Sequence, residues 1–256
     1  MPDPQPTEIN VRYPDAKDLH LRIQVGACRL TVRPGDGEAW VTGTYADPTE
    51  VLPARVLEEG GTVTITQSRN ELWGRFDGPP RFDLALGRAR AYAVTIESGA
   101  SESRFDFGGL PITRLTLKQG AGKYDIDFSA PNPQAMRMLE IGAGAVALTV
   151  GNLANANAPE IRVDGGAAGY KLDFGGALQV DTHARISTGL SGVEITVPES
   201  TPVRISVEAV LGGVDVGDGL MKKEGAYWNQ AALAGGAPLL TIHATVALGG
   251  LKLRLT

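Results

Sequence analysis

The chain has 256 residues, of which 43% are hydrophobic and only 6% aromatic, with 33 glycines and 16 prolines. This composition favours many short strands joined by turns over long helices packed on a large core. A net charge of −5, with no basic stripe interleaved with aromatic residues, argues against nucleic acid as a partner. The single cysteine, Cys28, excludes an intramolecular disulfide, and its apolar neighbours predict a buried thiol.

Residues 1–18 are polar and proline-rich, and we expect an extended lead-in there. They have neither the basic segment nor the apolar segment of a signal peptide. No run in the chain reaches the roughly 20 apolar residues that a membrane span needs. The sequence therefore predicts neither an export signal nor a transmembrane anchor.

Residues 19–95 predict an irregular β section that caps the fold. Several short segments alternate apolar and polar residues, and Glu-Glu-Gly-Gly-Thr at 58–62 is typical of a hairpin turn. The loop 69–81 contains Trp73 and Phe76, which we expect to cover an edge or an end of the sheet. No linker follows this section, so its boundary near residue 95 is soft.

Residues 96–256 contain an internal repeat. Six segments share a strand-like run, a glycine-rich turn and an apolar–polar–apolar triplet. The triplets begin at Phe105, Ile126, Leu148, Leu172, Ile195 and Val214, with spacings of 21, 22, 24, 23 and 19 residues. A seventh copy at 242–255 follows an insertion over 217–241, and an outlying copy lies at 25–32.

This period predicts an all-β fold, a right-handed parallel β-solenoid with coils of about 21–24 residues and an irregular mixed-β N-terminal section. Equivalent residues of successive coils would lie about 4.8 Å apart. We expect one continuous domain, divided only softly into 1–18, 19–95 and 96–256. Leucine-rich repeats have a similar period but need an asparagine or cysteine ladder, which the sequence lacks.

One glycine-rich turn also has the pattern of a nucleotide-binding site. Gly142, Gly144 and Ala147 fit the fingerprint, and Asp164 follows at the distance of a ribose-binding acid. A dinucleotide turn must lead into a helix, whereas the residues that follow, Leu-Thr-Val-Gly-Asn, alternate like a strand. The glycines indicate corners where a coil approaches its neighbour, and we expect no cofactor.

The central residues of the triplets predict one column on an exposed face: Asp106, Asp127, Thr149, Asp173, Thr196 and Asp215. The four aspartates of this column are weak candidates for a calcium or magnesium site, because carboxylate oxygens suit these cations. The neighbouring column contains Arg104 and Lys171, which favour a solvated, self-compensating face. We therefore expect no bound metal.

No motif for catalysis is present. His20, His183 and His243 lie far apart without metalloprotease spacing, and we interpret them as ordinary surface or packed residues. The chain is therefore predicted not to be an enzyme. The alternative is a carbohydrate-active enzyme or glycan-binding solenoid, whose acids would be Asp125, Asp127 and Asp173.

Two C-terminal features suggest contact surfaces. The insertion supplies the candidate partner-binding residues Met221, Lys222, Lys223, Tyr227 and Trp228, because aromatic loops on rigid scaffolds often bind. The same aromatics could instead form a lid over the coil. Lys252 and Arg254 on the last strand predict a charged edge that blocks growth of the sheet, with docking of an acidic partner as the alternative. Self-association through the coil ends is a further hypothesis.

The order of these pieces resembles the toast-rack β-solenoid proteins, described as adhesin-like or as cell-envelope proteins that respond to cell-wall-active antibiotics. The resemblance covers about residues 19–256 and rests on LRIQVGACRLTVRPGDGEAWVTGTY, GASESRFDFGGLPITRLTLKQGAGKYDIDF and VEITVPESTPVRISVEAVLGGVDV. It implies a non-catalytic binding or scaffold module of the bacterial envelope or its stress response. It also implies an envelope-associated or extracytoplasmic location, with a cell-wall glycan or an envelope protein as partner.

Overall fold

The computed structural model describes residues 6–48, 52–67 and 78–256. Its N-terminal strands are β1 (Thr7–Val11), β2 (His20–Val25), β3 (Cys28–Pro34), β4 (Val41–Ala46), β5 (Ala54–Glu59), β6 (Thr62–Gln67) and β7 (Arg81–Leu86). The following strands are β8 (Tyr92–Asp106), β9 (Ile112–Asp127), β10 (Leu139–Gly151), β11 (Glu160–Gly165), β12 (Ala168–Asp173), β13 (Thr182–Val197), β14 (Val203–Leu211), β15 (Val214–Val216), β16 (Met221–Lys223), β17 (Ala226–Trp228), β18 (Leu240–Leu248) and β19 (Leu251–Leu255). The helices are a 3₁₀ turn (Leu153–Ala156) and α1 (Gln230–Leu233). Trp73 and Phe76 lie outside the described residues.

Each long strand changes its buried face at a corner. In β8 the buried side chains alternate up to Ser98, and Gly99 and Ala100 are both exposed before burial resumes at Ser101. Because side chains of a strand point alternately to opposite faces, two exposed neighbours shift the alternation by one residue. The same break occurs in β10 at 144–145 and in β13 at 189–190. One long strand therefore takes part in two ladders.

The first ladder has the strand order β5–β6–β2–β8–β9–β10–β11–β13–β18–β14–β17–β16. The second has the order β1–β4–β7–β3–β8–β9–β10–β12–β13–β19–β15. The central pairings are parallel, and the outer pairings are antiparallel at both ends of the first ladder and at the N-terminal end of the second, whereas β15 pairs parallel with β19. The fold is all-β, as predicted, and the sheet continues across residue 95 from β2 and β3 onto β8. Within the predicted lead-in, Thr7–Val11 is ordered as β1, with Ile9 and Val11 buried.

The order of the coils in space departs from the chain order at both ends. Strands β6 and β7 lie outside β2 and β3, and β18 and β19 lie between β13 and the pair β14–β15. The prediction that the last strand forms a charged edge is therefore wrong. The residues between β15 and β18 carry the chain back, so β19 is paired on both sides and Lys252 lies between Glu194 and Asp215.

The register confirms part of the repeat alignment and corrects the rest. Phe105 lies opposite Ile126, and Leu172 lies opposite Ile195, as predicted. Ile126, however, lies opposite Val150 and not Leu148. The row of Ile195 likewise continues through Leu253 to Val216 instead of Val214. A shift of two residues leaves every side chain on the same face, so the alternating pattern alone does not reveal it.

The core lies between the two ladders and is continuous along the stack. The rings of Phe107 and Phe128 have centroids 5.9 Å apart, and Phe105 meets Tyr124 edge-on at 5.2 Å. Phe174 is equally buried. Cys28 is also buried, as predicted, and burial raises the pKa of its thiol to about 12. The interior is therefore mainly apolar, and most charged side chains lie on the outer faces of the ladders.

Candidate functional site

The aspartates at the ends of second-ladder strands hold the connections that follow them. The carboxylate of Asp106 accepts hydrogen bonds from the Gly108 amide at 2.8 Å and the Ser129 hydroxyl at 2.7 Å. Asp173 accepts from the Gly175 amide at 3.0 Å. Both aspartates begin the sequence Asp-Phe-Gly-Gly. A side chain that binds the amide two residues on forms a local turn, so these carboxylates have a structural role.

Asp215 does not belong to the predicted column of aspartates. The two-residue register shift places it opposite Lys252, and Thr149 opposite Asp125. Arg254 donates a hydrogen bond of 2.5 Å to Asp215 and thereby lowers the pKa of that carboxyl group. Across residues 6–48, 52–67 and 78–256, no three His, Cys, Asp or Glu side chains form a group that could hold a metal ion.

The three aspartates that would serve a carbohydrate-active enzyme also have local hydrogen-bond or ion-pair partners. The Asp125 carboxylate lies 3.1 Å from the Lys123 ammonium, and Asp127 accepts a hydrogen bond of 2.7 Å from the Asn152 amide. Asp173 is the carboxylate already bound to the Gly175 amide. The structure thus places these three side chains on the outer side of the second ladder, each with its own contact.

The insertion forms a hairpin that extends the first ladder. Strand β17 pairs antiparallel with β14, which places Trp228 opposite Arg204 and Tyr227 opposite Ile205. Tyr227 packs against the core, whereas the Trp228 ring lies 5.6 Å from the Arg204 guanidinium. Met221, Lys222 and Lys223 are exposed. The hairpin therefore covers the core with one aromatic and presents the other beside an arginine, and its role in partner binding stays a prediction.

Two rows of outward side chains cross the first ladder at this end. The first row contains Glu160, His183, Thr241, Arg204, Trp228 and Met221. The second row contains Arg162, Arg185, His243, Ser206, Ala226 and Lys223. We use the name basic patch for Arg162, His183, Arg185, Arg204 and His243. Neighbouring residues in a row belong to adjacent strands, which are about 4.8 Å apart.

Basic groups adjoin one another within the basic patch, and the acids lie at its margins, with Glu140 opposite Arg162 and Glu160 opposite His183. Arg162 lies directly opposite Arg185, and Arg185 lies opposite His243. Like charges in directly opposed positions destabilise a sheet. In the part of the chain that the structure describes, neither arginine nor His183 has an ion pair. An unfavourable arrangement on an exposed rigid surface is more typical of a binding site than of a stabilising feature.

A shallow groove of about 670 Å³ lies over the basic patch. It is lined by the hydroxyl residues Thr241 and Ser206, by the basic residues His183, Arg185, Arg204 and His243, and by Glu160 and Ala184. The Ser206 hydroxyl lies 3.1 Å from Nδ1 of His243, whose Nε2 lies 3.9 Å from the Glu208 carboxylate. The groove thus combines two hydroxyls and four basic side chains with one carboxylate.

A larger groove of about 1540 Å³ runs along the first ladder near β2, β8, β9 and β10. Its charged lining is of mixed sign: Lys118 lies 3.8 Å from Glu97, Gln24 donates a hydrogen bond of 2.9 Å to the same carboxylate, and Arg55, Glu140 and Asp164 also line the groove. Size therefore favours this groove, whereas electrostatics favours the basic patch. Clustered basic groups specify the chemistry of a ligand more closely than the size of a groove does, so the basic patch is the candidate site.

Sequence reasoning missed the basic patch. The sequence pattern predicts ordinary surface or packed histidines at 183 and 243, and it distinguishes none of the three arginines. A signal was present for one pair, since Arg162 and Arg185 occupy equivalent positions in successive repeat copies. The other members of the basic patch come together because β18 lies between β13 and β14. No local sequence pattern predicts that position.

The repeated coils, the continuous core and the charged outer ladders define a β scaffold built from repeats. The chain belongs to the family described as the N-terminal domain of toast_rack, DUF2154, whose model matches residues 2–150. The resemblance found in the sequence is thereby confirmed. No curated protein matches the sequence.

Solved structures with a similar fold include two bacterial proteins. A proposed cell adhesion protein from Clostridium sporogenes ATCC 15579 is 14% identical, with a TM-score of 0.46 over 98% of this chain and 100% of that chain. A proposed adhesin from Bacteroides fragilis NCTC 9343 is 10% identical, with a TM-score of 0.43 over 98% of each chain. Among the described residues, no helix is long and apolar enough to cross a membrane.

Proposed function

We propose that this protein is a non-catalytic binding or scaffold module of the bacterial cell envelope. Its binding surface is the outer side of the first ladder, centred on the basic patch. The envelope location follows from the toast-rack resemblance. The coils are proposed to wind right-handed, the hand that connections between parallel strands of one sheet nearly always take, with a repeat of about 21–24 residues.

The observation that carries this proposal is the contrast between the acids and the bases. Asp106, Asp127 and Asp173 accept hydrogen bonds that hold the chain where it leaves a strand. Arg162 and Arg185, by contrast, lie exposed on adjacent strands with no ion pair in the described part of the chain. Rigid strands that display unpaired basic groups suit recognition of an anionic partner.

A thermal-shift panel of anionic and neutral glycans, peptidoglycan fragments and divalent cations tests this function. A ligand present at about 100 times its Kd stabilises the folded state by roughly 2.7 kcal/mol, which raises the melting temperature measurably. We expect stabilisation by an anionic member and no cleavage of any glycan. New reducing ends released from a glycan would contradict the non-catalytic function, and a flat response to every anion would contradict the binding surface.

A further inference from the structure

We propose that the basic patch binds a linear acidic glycan through the carboxylates of its uronic acid units. This inference rests on the proposed binding function and gives it a ligand class. Three features of the surface favour this ligand class: the direction of the rows, the mixture of charges around them and the hydroxyls in the groove.

The arginines supply the anion-binding groups. A guanidinium presents a planar set of N–H donors that matches a carboxylate in bidentate geometry. Arg162 and Arg185 are exposed and have no competing ion pair in the described ranges, so both are available to a ligand. Arg204, in the neighbouring row, offers a third guanidinium on the same face.

The arrangement of the arginines favours a chain over a compact ion. Arg162, Arg185 and His243 follow one another on adjacent strands, so their basic groups form a line across the ladder. The line crosses the strands, and each step along it is about 4.8 Å. Repeated carboxylates on an extended polymer match a line of donors, whereas a single small anion would use only one of them.

The acids around the basic patch favour a sugar over a nucleic acid or an anionic membrane. Glu140 precedes Arg162 in its row, Glu160 begins the row of His183, and Glu208 adjoins His243. These carboxylates would repel a dense line of phosphates or a broad anionic surface. Each can accept hydrogen bonds from sugar hydroxyls, which a uronic acid presents beside its own carboxylate.

Short polar side chains and one aromatic complete the surface. Thr241 and Ser206 place hydroxyls in the groove. The Thr241 hydroxyl can donate to and accept from a sugar, and the Ser206 hydroxyl, which lies 3.3 Å from the carbonyl oxygen of Ile242, can accept. Trp228 lies next to Arg204 in the first row and is half-buried, so part of its ring faces outward. An aromatic ring at the end of a polar groove suits the apolar face of a sugar ring.

The test measures binding of oligogalacturonates to the full chain by isothermal titration calorimetry. The wild-type protein should bind them, and the fully methyl-esterified oligomers, which lack the charges, should bind at least about tenfold more weakly. Arg185→Glu should weaken binding by about tenfold or more, and raised salt should weaken it in the wild type. Arg22→Glu is the matched control: Arg22 is exposed on β2 and faces outward on the same ladder, away from the basic patch.

The possible outcomes distinguish a wrong ligand class from a wrong proposed function. Equal losses for Arg22→Glu and Arg185→Glu would overturn the assignment to the basic patch, because net charge alone would then explain binding. Tighter binding of a single-stranded oligonucleotide, or of vesicles containing phosphatidylglycerol, would overturn the glycan and leave the binding module standing. If oligogalacturonates do not bind but another anion in the thermal-shift panel does, the uronic acid is wrong and the proposed function stands.

Discussion

At the scale of single residues, glycine is required at two corners of the coils, because neighbouring coils approach each other closely there. A Cβ atom added to Gly120 would lie 2.6 Å from the carbonyl oxygen of Gly99, and one added to Gly144 would lie 2.3 Å from that of Gly120. Neither glycine has the left-handed φ that only glycine adopts easily. Gly144 of the fingerprint at 142–147 therefore has a steric reason within the stack, whereas a Cβ atom at Gly142 would approach no atom closer than 3.9 Å.

Replacing Gly144 by alanine tests this steric role. The added methyl group must push two coils apart or distort the strand, so we expect the free energy of unfolding to fall by about 1–3 kcal/mol. Urea denaturation followed by circular dichroism measures the loss. The matched control is Gly192→Ala, since a Cβ atom at that strand glycine would meet nothing within 4 Å. Its effect should stay within about 0.5 kcal/mol, and equal effects of the two variants would contradict the steric account.

At the scale of elements, the returning pair β18–β19 decides how the C-terminal half is built. Strand β18 separates β13 from β14, and β19 separates β13 from β15. Leu253 of β19 is fully buried between Ile195 and Val216. The last strand in the sequence is thus an interior strand of the stack.

Truncation of Leu253 to alanine tests the interior position of β19. An interior leucine leaves a cavity when it is shortened, and we expect a loss of about 2–5 kcal/mol in the free energy of unfolding. Leu255→Ala in the same strand is the control, because Leu255 is only half-buried and should cost clearly less. Similar small losses at both positions would indicate that β19 is an edge strand.

The sequence predicts the strands and turns better than it predicts how the strands pair with one another. Alternation identified most strands, and the hairpin turn at Gly60 and Gly61 joins β5 to β6 as predicted. The register of Phe105 against Ile126 is predictable from the sequence. A two-residue shift at β10 preserves the alternation, so the sequence pattern does not reveal it. The basic patch was not predictable, since its strands meet through nonlocal pairing that local periodicity does not encode.

At the scale of the whole molecule, the order of the coils determines which side chains meet. The basic patch draws on β11, β13, β18 and β14, and its members extend from Arg162 to His243 in the sequence. Parallel strands paired on both sides hold these groups on a rigid surface. If β14 lay directly against β13 in the same register, Arg185 would lie opposite Ser206 and His183 opposite Arg204, and the side chains of β18 would be missing from between them.

Disulfide trapping between outward residues tests this order most directly. Ser187 lies opposite Thr245, which in turn lies opposite Glu208, so Ser187 and Glu208 are two strands apart. A disulfide requires Cα atoms within about 7 Å, a distance met by adjacent strands and exceeded by strands about 9.6 Å apart. The native Cys28 is buried, and its raised pKa of about 12 keeps the thiol out of exchange at neutral pH.

The measurement is mass spectrometry of an unreduced digest of two double variants after mild oxidation. We predict a disulfide in Ser187→Cys with Thr245→Cys and none in Ser187→Cys with Glu208→Cys. A disulfide in the second variant and its absence from the first would place β14 against β13, separate the arginines from the histidine between them, and contradict the basic patch on which the account depends.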